Sequence, residues 1–279
     1  MFRVRRVPDD VLPVNRDALA QVTEILREQF PDAPAGEFAG IAGKLRDPLT
    51  GRFRAILMVA EPRDGVVQGC AFLLHEPRLH AVYLDYIAAR AKLTSRGIGG
   101  ALYQRAREES LALGARAIFY ECLPDDPVPG LEKSELALNR ARLRFYETFG
   151  ARPLVDNDYT LPYAPDAGVM PVLVADPLEK PEALRRRYVR EVVRAILERK
   201  YAHLCPPAYV NAVVRSFRDD PVQLRAPRYT KPTEPRPAVK PAIGERIALL
   251  VNDQHDIHHV HDRGYVEAPV RVRRILAEI

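Results

Sequence analysis

Three glycines stand directly before a long helical pattern in the stretch TSRGIGGALYQRA, which runs from Thr94 to Ala106. They are Gly97, Gly99 and Gly100. Glycine lets a ligand approach the backbone closely, because it has no side chain in the way. The first turn of a helix also offers unpaired N–H groups and the positive end of the helix dipole. The stretch therefore predicts a site for a phosphate-bearing ligand.

One candidate ligand is a dinucleotide. Gly97 and Gly99 begin like the G-x-G-x-x-G fingerprint, and Glu121 ends the following predicted strand, where a ribose-binding acid would lie. The third glycine is replaced by Leu102, and the connection from the preceding strand is long for such a turn. A Rossmann-like NAD(P) oxidoreductase therefore remains only as an alternative.

The elements that position these residues follow from hydrophobic periodicity and turn signals. The predicted order is strand, two helices, three strands, glycine stretch with helix, strand, helix and two short strands. The corresponding segments are Phe2–Val7, Asn15–Gln29, Glu37–Arg46, 53–62, 66–76, 79–89, a helix to Leu113, 115–123, Asn139–Gly150, Ala151–Leu154 and Val169–Ala175.

A second motif in the glycine stretch is R-x-x-G-x-A, formed by Arg96, Gly99 and Ala101. With the element order from Phe2 to Ala175, it resembles the Gcn5-related N-acetyltransferase family. The resemblance implies an α/β (α+β) class, namely a mixed, mainly antiparallel central sheet flanked by helices (the acyl-CoA N-acyltransferase fold). It also implies acetyl-CoA as co-substrate and no metal. The residues assigned to acetyl-CoA in this way are Ile87, Ala88, Ala89, Arg96, Gly97, Ile98, Gly99, Gly100, Ala101 and Asn139.

The same resemblance supplies catalytic candidates. In NRARLRFYETFG, Asn139, Tyr146 and Gly150 match the family's N-x-x-A-x-x-x-Y-x-x-x-G pattern loosely. The family's tyrosine protonates the departing CoA thiolate, a role that Tyr146 inherits. The base that deprotonates the amine is Glu121, with Asp85 in reserve. The alternative for both carboxylates is an outward-facing strand position, and for Tyr146 a helix tyrosine packed on the sheet. The loop between Glu121 and Asn139 is about a dozen residues longer than the family's.

Composition limits the setting of the protein. The 279 residues are 47% hydrophobic, with a net charge of +5 and a pI near 9.1. The three cysteines are scattered and lack a C-x-x-C pair, which indicates a reducing, cytoplasmic environment. There is neither an apolar run long enough to cross a membrane nor the apolar stretch of a signal peptide, so we expect no membrane partner.

Four segments are predicted: an acetyltransferase domain (1–177), a basic helical extension (178–225), a Pro-rich linker (226–244) and an incomplete deacetylase-like fragment (245–279). The arginines of the extension could bind nucleic acid. We favour instead a solvated face, with the apolar stripe packed on the first domain or on a second subunit of a homodimer.

The last segment resembles the start of the superfamily of histone deacetylases and acetylpolyamine amidohydrolases, through Glu267-Ala268-Pro269 and the helix that follows. The resemblance implies a fused acetyltransferase–deacetylase whose zinc ligands lie beyond Ile279. The histidines between His255 and His261 are interpreted as a polar loop rather than a metal site.

The sequence thus predicts acetyl transfer from acetyl-CoA to a primary amine, by direct attack in a ternary complex. The amine is a protein lysine, a polyamine or another small amine. A CoA-binding regulatory module without turnover is the alternative.

Overall fold

The structure is a computed structural model. It describes residues 2–31, 33–34, 36–47, 52–91, 97–165, 167–178 and 183–231. They belong to one compact unit, Met1–Pro232, and a second unit, Thr233–Ile279, lies wholly outside the described residues. The predicted deacetylase-like segment, its histidine cluster and most of the predicted linker therefore also lie outside them.

The strands are β1 (Arg3–Val7), β2 (Arg54–Glu61), β3 (Gly69–Glu76), β4 (Ala81–Ala89), β5 (Ala117–Cys122), β6 (Arg152–Pro153) and β7 (Val172–Asp176). They form one seven-stranded sheet in the order β1-β2-β3-β4-β5-β7-β6. Among the described strands, β4 and β5 are the one parallel pair, and the other neighbours are antiparallel. The predicted mixed, mainly antiparallel class is confirmed. The sheet does not support the Rossmann-like alternative, which requires a mostly parallel sheet.

The helices are α1 (Pro13–Gln29), α2 (Ile41–Arg46, after a 3₁₀ turn at Glu37–Gly40), α3 (Ile98–Ala112), α4 (Lys133–Glu147), α5 (Arg186–Ala195, continued by a π-helical turn at Ile196–Lys200) and α6 (Pro207–Ser216). Among the helices of the described residues, none is long and apolar enough to cross a membrane.

Two helix starts differ from the prediction. Helix α1 begins at Pro13 rather than after Asn15, because proline fits the first turn, where its missing N–H is not needed. Helix α4 begins at Lys133 rather than Asn139, and the Glu132 N–H donates to the Glu135 carboxylate at 3.1 Å in its first turn. The predicted insertion between β5 and Asn139 therefore ends in helix.

The sheet is covered on both faces because its strand side chains alternate between them. On the α1–α5 face, residues such as Phe72 and Phe119 pack with helices α1, α2, α5 and α6. On the α3–α4 face, residues such as Leu73 and Tyr120 pack with helices α3 and α4. A side chain on β4 or β5 therefore belongs to one of two separate environments according to its position along the strand.

The basic extension is part of this core. Its apolar stripe, which includes Tyr188, Val189, Val192 and Val193, is buried on the α1–α5 face. Each such side chain contributes roughly 1.5–3 kcal/mol by leaving water. Arg190 donates to the backbone carbonyls of residues 215 and 217, where α6 ends. The extension is therefore packed as predicted, and Arg190 serves the chain itself.

A strap formed by residues 225–230 returns from α6 to the loop after β5. The Arg225 guanidinium donates to both Asp125 oxygens, at 2.7 and 2.8 Å. The Glu147 carboxylate accepts the backbone N–H groups of Arg228, Tyr229 and Thr230 at 3.1, 2.6 and 2.7 Å. These two carboxylates therefore fix the strap against the long loop and the end of α4.

Acid should weaken this strap. Burial alone would raise the pKa of Asp125 and Glu147, but hydrogen bonds from Arg225 and from the strap N–H groups outweigh it. Both pKa values therefore lie below their ordinary 3.8 and 4.5. The stabilisation is complete above those ordinary values and is lost as the pH falls through the lowered ones. Urea unfolding between pH 7 and 2.5 should show this loss, and Asp125→Asn should reduce it. Asp219→Asn, at an exposed position, is the control, and equal slopes for all three proteins would refute the assignment.

Candidate functional site

An opening lies between β4 and β5. Residues Ala81–Tyr83 pair with Ala117–Phe119, and the two strands are unpaired beyond that point. On the other side of β4, Leu84 pairs with Leu73 and Tyr86 with Phe72, so Asp85 is the extra residue of a β-bulge. A bulge bends its strand and redirects side chains. Here it helps to place Tyr83, Asp85 and Tyr86 beside the α1–α5 face.

The predicted base Glu121 lies on β5, two residues beyond Phe119, which is the last residue of β5 to pair with β4. Its side chain is on the α1–α5 face. It is held by three phenols. The Tyr83 hydroxyl donates to Oε2 at 3.0 Å, Tyr159 to Oε1 at 2.5 Å and Tyr201 to Oε2. Burial, followed by the charge of Glu121, raises the pKa of each phenol well above the ordinary value. The phenols therefore stay protonated at neutral pH and orient the carboxylate.

The reserve base Asp85 faces a lysine from the π-helical turn. The Lys200 Nζ lies 2.6 Å from Asp85 Oδ1, and the Asp85 side chain is 1% exposed. The ammonium also lies 4.6, 5.5 and 5.7 Å from the ring centroids of Tyr201, Tyr83 and Tyr86. Burial would lower the pKa of Lys200, but the charge of Asp85, the hydrogen bond to it and the charges of Glu121 and Glu37 together outweigh burial and raise the pKa above 10.5. Carboxylates and aromatic faces already bind one primary ammonium here.

Tyr146, the predicted acid, lies on the α3–α4 face, opposite Glu121. Its side chain is buried, and its ring centroid is 4.5 Å from that of Tyr120 and 5.0 Å from that of Tyr103. Burial, with a smaller effect of Cys122, raises the pKa of Tyr146. The hydroxyl therefore keeps its proton at neutral pH and can donate a hydrogen bond to a departing thiolate. Packing and proton donation are both compatible with this placement.

The glycine stretch forms the start of α3. Gly97 has φ of 75°, and among the described residues no side chain caps the helix. A Cβ placed at Gly99 or Gly100 would meet no described atom within 4 Å, so the described residues leave the space beside the first turn open. These features fit a phosphate group at the helix N-terminus. Arg96 lies outside the described residues.

The other residues assigned to acetyl-CoA have different surroundings. Residues Ile87–Ala89 lie in the part of β4 that β5 does not pair. Ile98 is fully buried under the start of α3, and the Ala101 N–H donates within the helix to the Gly97 carbonyl at 3.0 Å. Asn139 is buried, and its amide donates to the Pro124 carbonyl at 3.1 Å. It fixes the long loop after β5, and its contact with acetyl-CoA stays a prediction.

The cysteines are poor nucleophiles. Burial raises the pKa of Cys70 and Cys122 to about 12 and that of Cys205 to about 11. Each is therefore a thiol rather than a thiolate at neutral pH. This favours direct transfer over an acetyl-cysteine route. Among the described residues, no three or more His, Cys, Asp or Glu side chains gather as a metal site.

Two cavities flank these groups. The basic cavity has about 370 Å³ and is lined by Glu37, Lys44, Arg199, Lys200 and His203, among others. The tyrosine pocket has about 250 Å³, and its lining includes Glu121, Tyr159, Tyr163, Val169, Tyr201 and Tyr209. Tyr201 lines both.

The comparisons with known proteins found similarity only among solved structures. No family model matches the chain, and no curated protein sequence matches it. An aminoglycoside 6'-N-acetyltransferase complexed with coenzyme A is 17% identical at a TM-score of 0.47, over 65% of this chain and 99% of that one. The catalytic domain of a Tetrahymena Gcn5 histone acetyltransferase in complex with coenzyme A is 13% identical at a TM-score of 0.45, over 65% of this chain and 96% of that one. An IAA acetyltransferase from Bacillus cereus is 17% identical at a TM-score of 0.41, over 63% of this chain and 98% of that one. The fold class rests on the strand order described above.

Four important residues were not predicted: Tyr83, Tyr159, Lys200 and Tyr201. Tyr83 and Asp85 are two residues apart on β4, so their shared face could have been inferred from the alternation of side chains along a strand. Lys200 and Tyr201 were seen only as the end of a basic helix. Nothing local in the sequence indicates that this helix ends in a π-helical turn at the β4–β5 opening.

Proposed function

We propose that the chain is an N-acetyltransferase that moves acetyl from acetyl-CoA to a primary amine by direct attack in a ternary complex. The observation that carries the proposal is the β4–β5 opening. Two carboxylates flank it on one face, a protonated phenol lies on the other, and an uncapped, glycine-flanked helix start follows β4 in the chain. A base, an acid and an anion site are the groups that this reaction needs.

Acetyl-CoA is a substrate in this proposal. The N–H groups at the start of α3, from Gly97 to Gly100, bind its pyrophosphate, and the edge of Ile87–Ala89 that β5 leaves unpaired receives its extended arm. Acetyl-CoA supplies a thioester carbonyl that an amine can attack.

Two side chains of this chain accept and donate the protons of the transfer step. As the bond between the amine nitrogen and the acetyl carbon forms, Glu121 takes a proton from the amine. As the carbon–sulfur bond breaks, Tyr146 gives its proton to the leaving thiolate. Asp85 already neutralises Lys200, so we propose Glu121 as the base and Asp85 as the counter-ion.

Binding of acetyl-CoA should depend on the open space beside α3. Gly99→Glu places a carboxylate where phosphate should bind, while the open space leaves the fold intact. Calorimetry with acetyl-CoA, CoA and NADPH should show one site for the first two ligands and its loss in the variant. Gly43→Glu in α2 is the matched control, since a Cβ there also meets nothing within 4 Å. Wild-type chain that fails to bind acetyl-CoA, or equal binding by both variants, would remove the basis of the proposal.

Two finer points belong to the same proposal. If acetyl-CoA binds but no amine releases free thiol, the chain is a CoA-binding regulatory module instead. The resemblance of residues 245–279 to deacetylases stays a prediction, as does a fused acetyltransferase–deacetylase. A protein lysine, a polyamine or another small amine as acceptor and a homodimeric assembly are likewise proposals.

A further inference from the structure

The tyrosine pocket opens beside the proposed base. Two of its lining residues, Tyr159 and Tyr201, are the phenols that donate to Glu121. The rest of the lining comes from two segments. One precedes β7 and includes Tyr163 and Val169, and the other runs from the end of α5 to the start of α6 and includes Tyr209. The pocket therefore ends at the carboxylate that we assign to proton transfer.

The charges of the two cavities are opposite. Among the described residues, Glu121 is the one carboxylate that lines the tyrosine pocket, and none of the described Lys, Arg or His side chains lines it. The described lining of the basic cavity sets Glu37 against Lys44, Arg199, Lys200 and His203, and two of these cations are already paired, Arg199 with Glu76 and Lys200 with Asp85. An incoming ammonium is attracted by the carboxylate of the first cavity, whereas the second offers it Glu37 beside the cation of Lys44. Of the two, the tyrosine pocket is the entrance that suits an amine.

We propose that the tyrosine pocket is the acceptor site, and that its acceptor is a small primary amine carried on a single aromatic ring. The inference rests on the proposed function, because the amine beside Glu121 is the one that becomes acetylated. In that reaction the nitrogen–carbon bond forms and the carbon–sulfur bond breaks. The bound ammonium first gives one proton to water, and the neutral amine then attacks; the next proton of the nitrogen goes to Glu121, and the thiolate receives the proton of Tyr146.

Shape and chemistry favour a ring with one charge. Tyrosine faces and edges contact another ring in tilted or T-shaped geometry, which adds to simple burial. A second ammonium, as in a polyamine, would lie among Tyr163, Val169 and Tyr209, where the described lining holds no carboxylate, and burying an unpaired charge is costly. At about 250 Å³ the pocket is smaller than sites for drug-sized ligands. One ring on a short ethylamine arm is the matching size.

The test measures binding and turnover separately on the full chain. The probes are 2-phenylethylamine, 1,4-diaminobutane, spermidine and an Nα-acetyl-lysine amide, titrated by calorimetry and then assayed for thiol release from acetyl-CoA. We expect 2-phenylethylamine to bind at least tenfold more tightly than the other three. Val169→Phe, which fills the tyrosine pocket, should weaken that binding tenfold or more. Ala33→Phe adds the same ring in the basic cavity and should leave binding unchanged.

Each outcome decides a different statement. Transfer to spermidine or the lysine amide without a preference for 2-phenylethylamine overturns this inference and keeps the proposed function. Binding of 2-phenylethylamine that Val169→Phe abolishes, without thiol release from any amine, overturns the proposed function and keeps the pocket as an aromatic-amine site. If Val169→Phe fails to fold, the ranking of the four amines on the wild-type chain decides alone, and a tighter diamine overturns the inference.

Discussion

Tyr146→Phe should lower the turnover number roughly 10²–10⁴-fold, the usual contribution of a positioned acid, while acetyl-CoA binding stays nearly unchanged. The substitution removes one hydroxyl and keeps the ring contacts with Tyr120 and Tyr103. Within the described residues that hydroxyl has no hydrogen-bond partner, so the free energy of unfolding should change little. The measurement is thiol release against acetyl-CoA concentration, with calorimetric binding alongside.

The neighbouring Tyr103 provides a matched control. Its hydroxyl donates to buried Asp176 at 2.8 Å and lies 3.1 Å from the Tyr120 hydroxyl. Tyr103→Phe removes a hydrogen bond to a charged group and should lower the free energy of unfolding by about 1.5–3 kcal/mol, with turnover retained. If Tyr146→Phe turns over normally, or if it loses acetyl-CoA binding instead, Tyr146 is a packing residue of the α3–α4 face.

Asp85→Ala should lower the free energy of unfolding by roughly 3–5 kcal/mol, because it leaves the buried Lys200 ammonium without its carboxylate. Aromatic rings at 4.6 to 5.7 Å attract that ammonium but do not replace a full negative charge. Urea unfolding with matched m-values measures the change. The double variant Asp85→Ala/Lys200→Met should recover part of the loss, since both charges are then absent.

This double-mutant cycle also bears on the base. A coupling free energy well above zero assigns Asp85 to Lys200 and leaves Glu121 as the carboxylate available to an amine. Additive single effects would mean that the pair is not coupled. In that case Asp85 would return as a base of equal standing.

The sequence predicts the framework of this fold better than its site. The strands β2 to β5 were recognisable because they are short, nearly continuous apolar runs bounded by turn signals, and helix α1 because its apolar residues recur at helical spacing. The sequence predicts the start of helix α4 at Asn139, which is too late, because the first turn carries the charged residues Lys133 and Glu135 and no apolar stripe. Its start depends on Glu132 and Glu135, which are capping residues rather than core residues.

The site itself is only partly local. The glycine stretch could be named from its own spacing, whereas Glu121 and Asp85 could be named only through the resemblance of their strands to those of a known family. The position of the bulge, at Asp85, could not be named, because it is defined by the register between two strands. The arrival of Lys200 and Tyr201 could not either, because it depends on how a helix more than a hundred residues along the chain from Asp85 packs on the sheet.

Under the proposed function, donor and acceptor chemistry are separated along the chain. The start of α3 and the open part of β4 come from residues before 101, whereas Tyr159, Tyr201 and Tyr209 of the tyrosine pocket come from residues after 158. In the proposed enzyme, changes in the later stretch alter which amine is accepted while the start of α3 keeps its sequence. A chain partitioned in this way can evolve new acceptors by drift in one segment, and a designer could exchange that segment to retarget it.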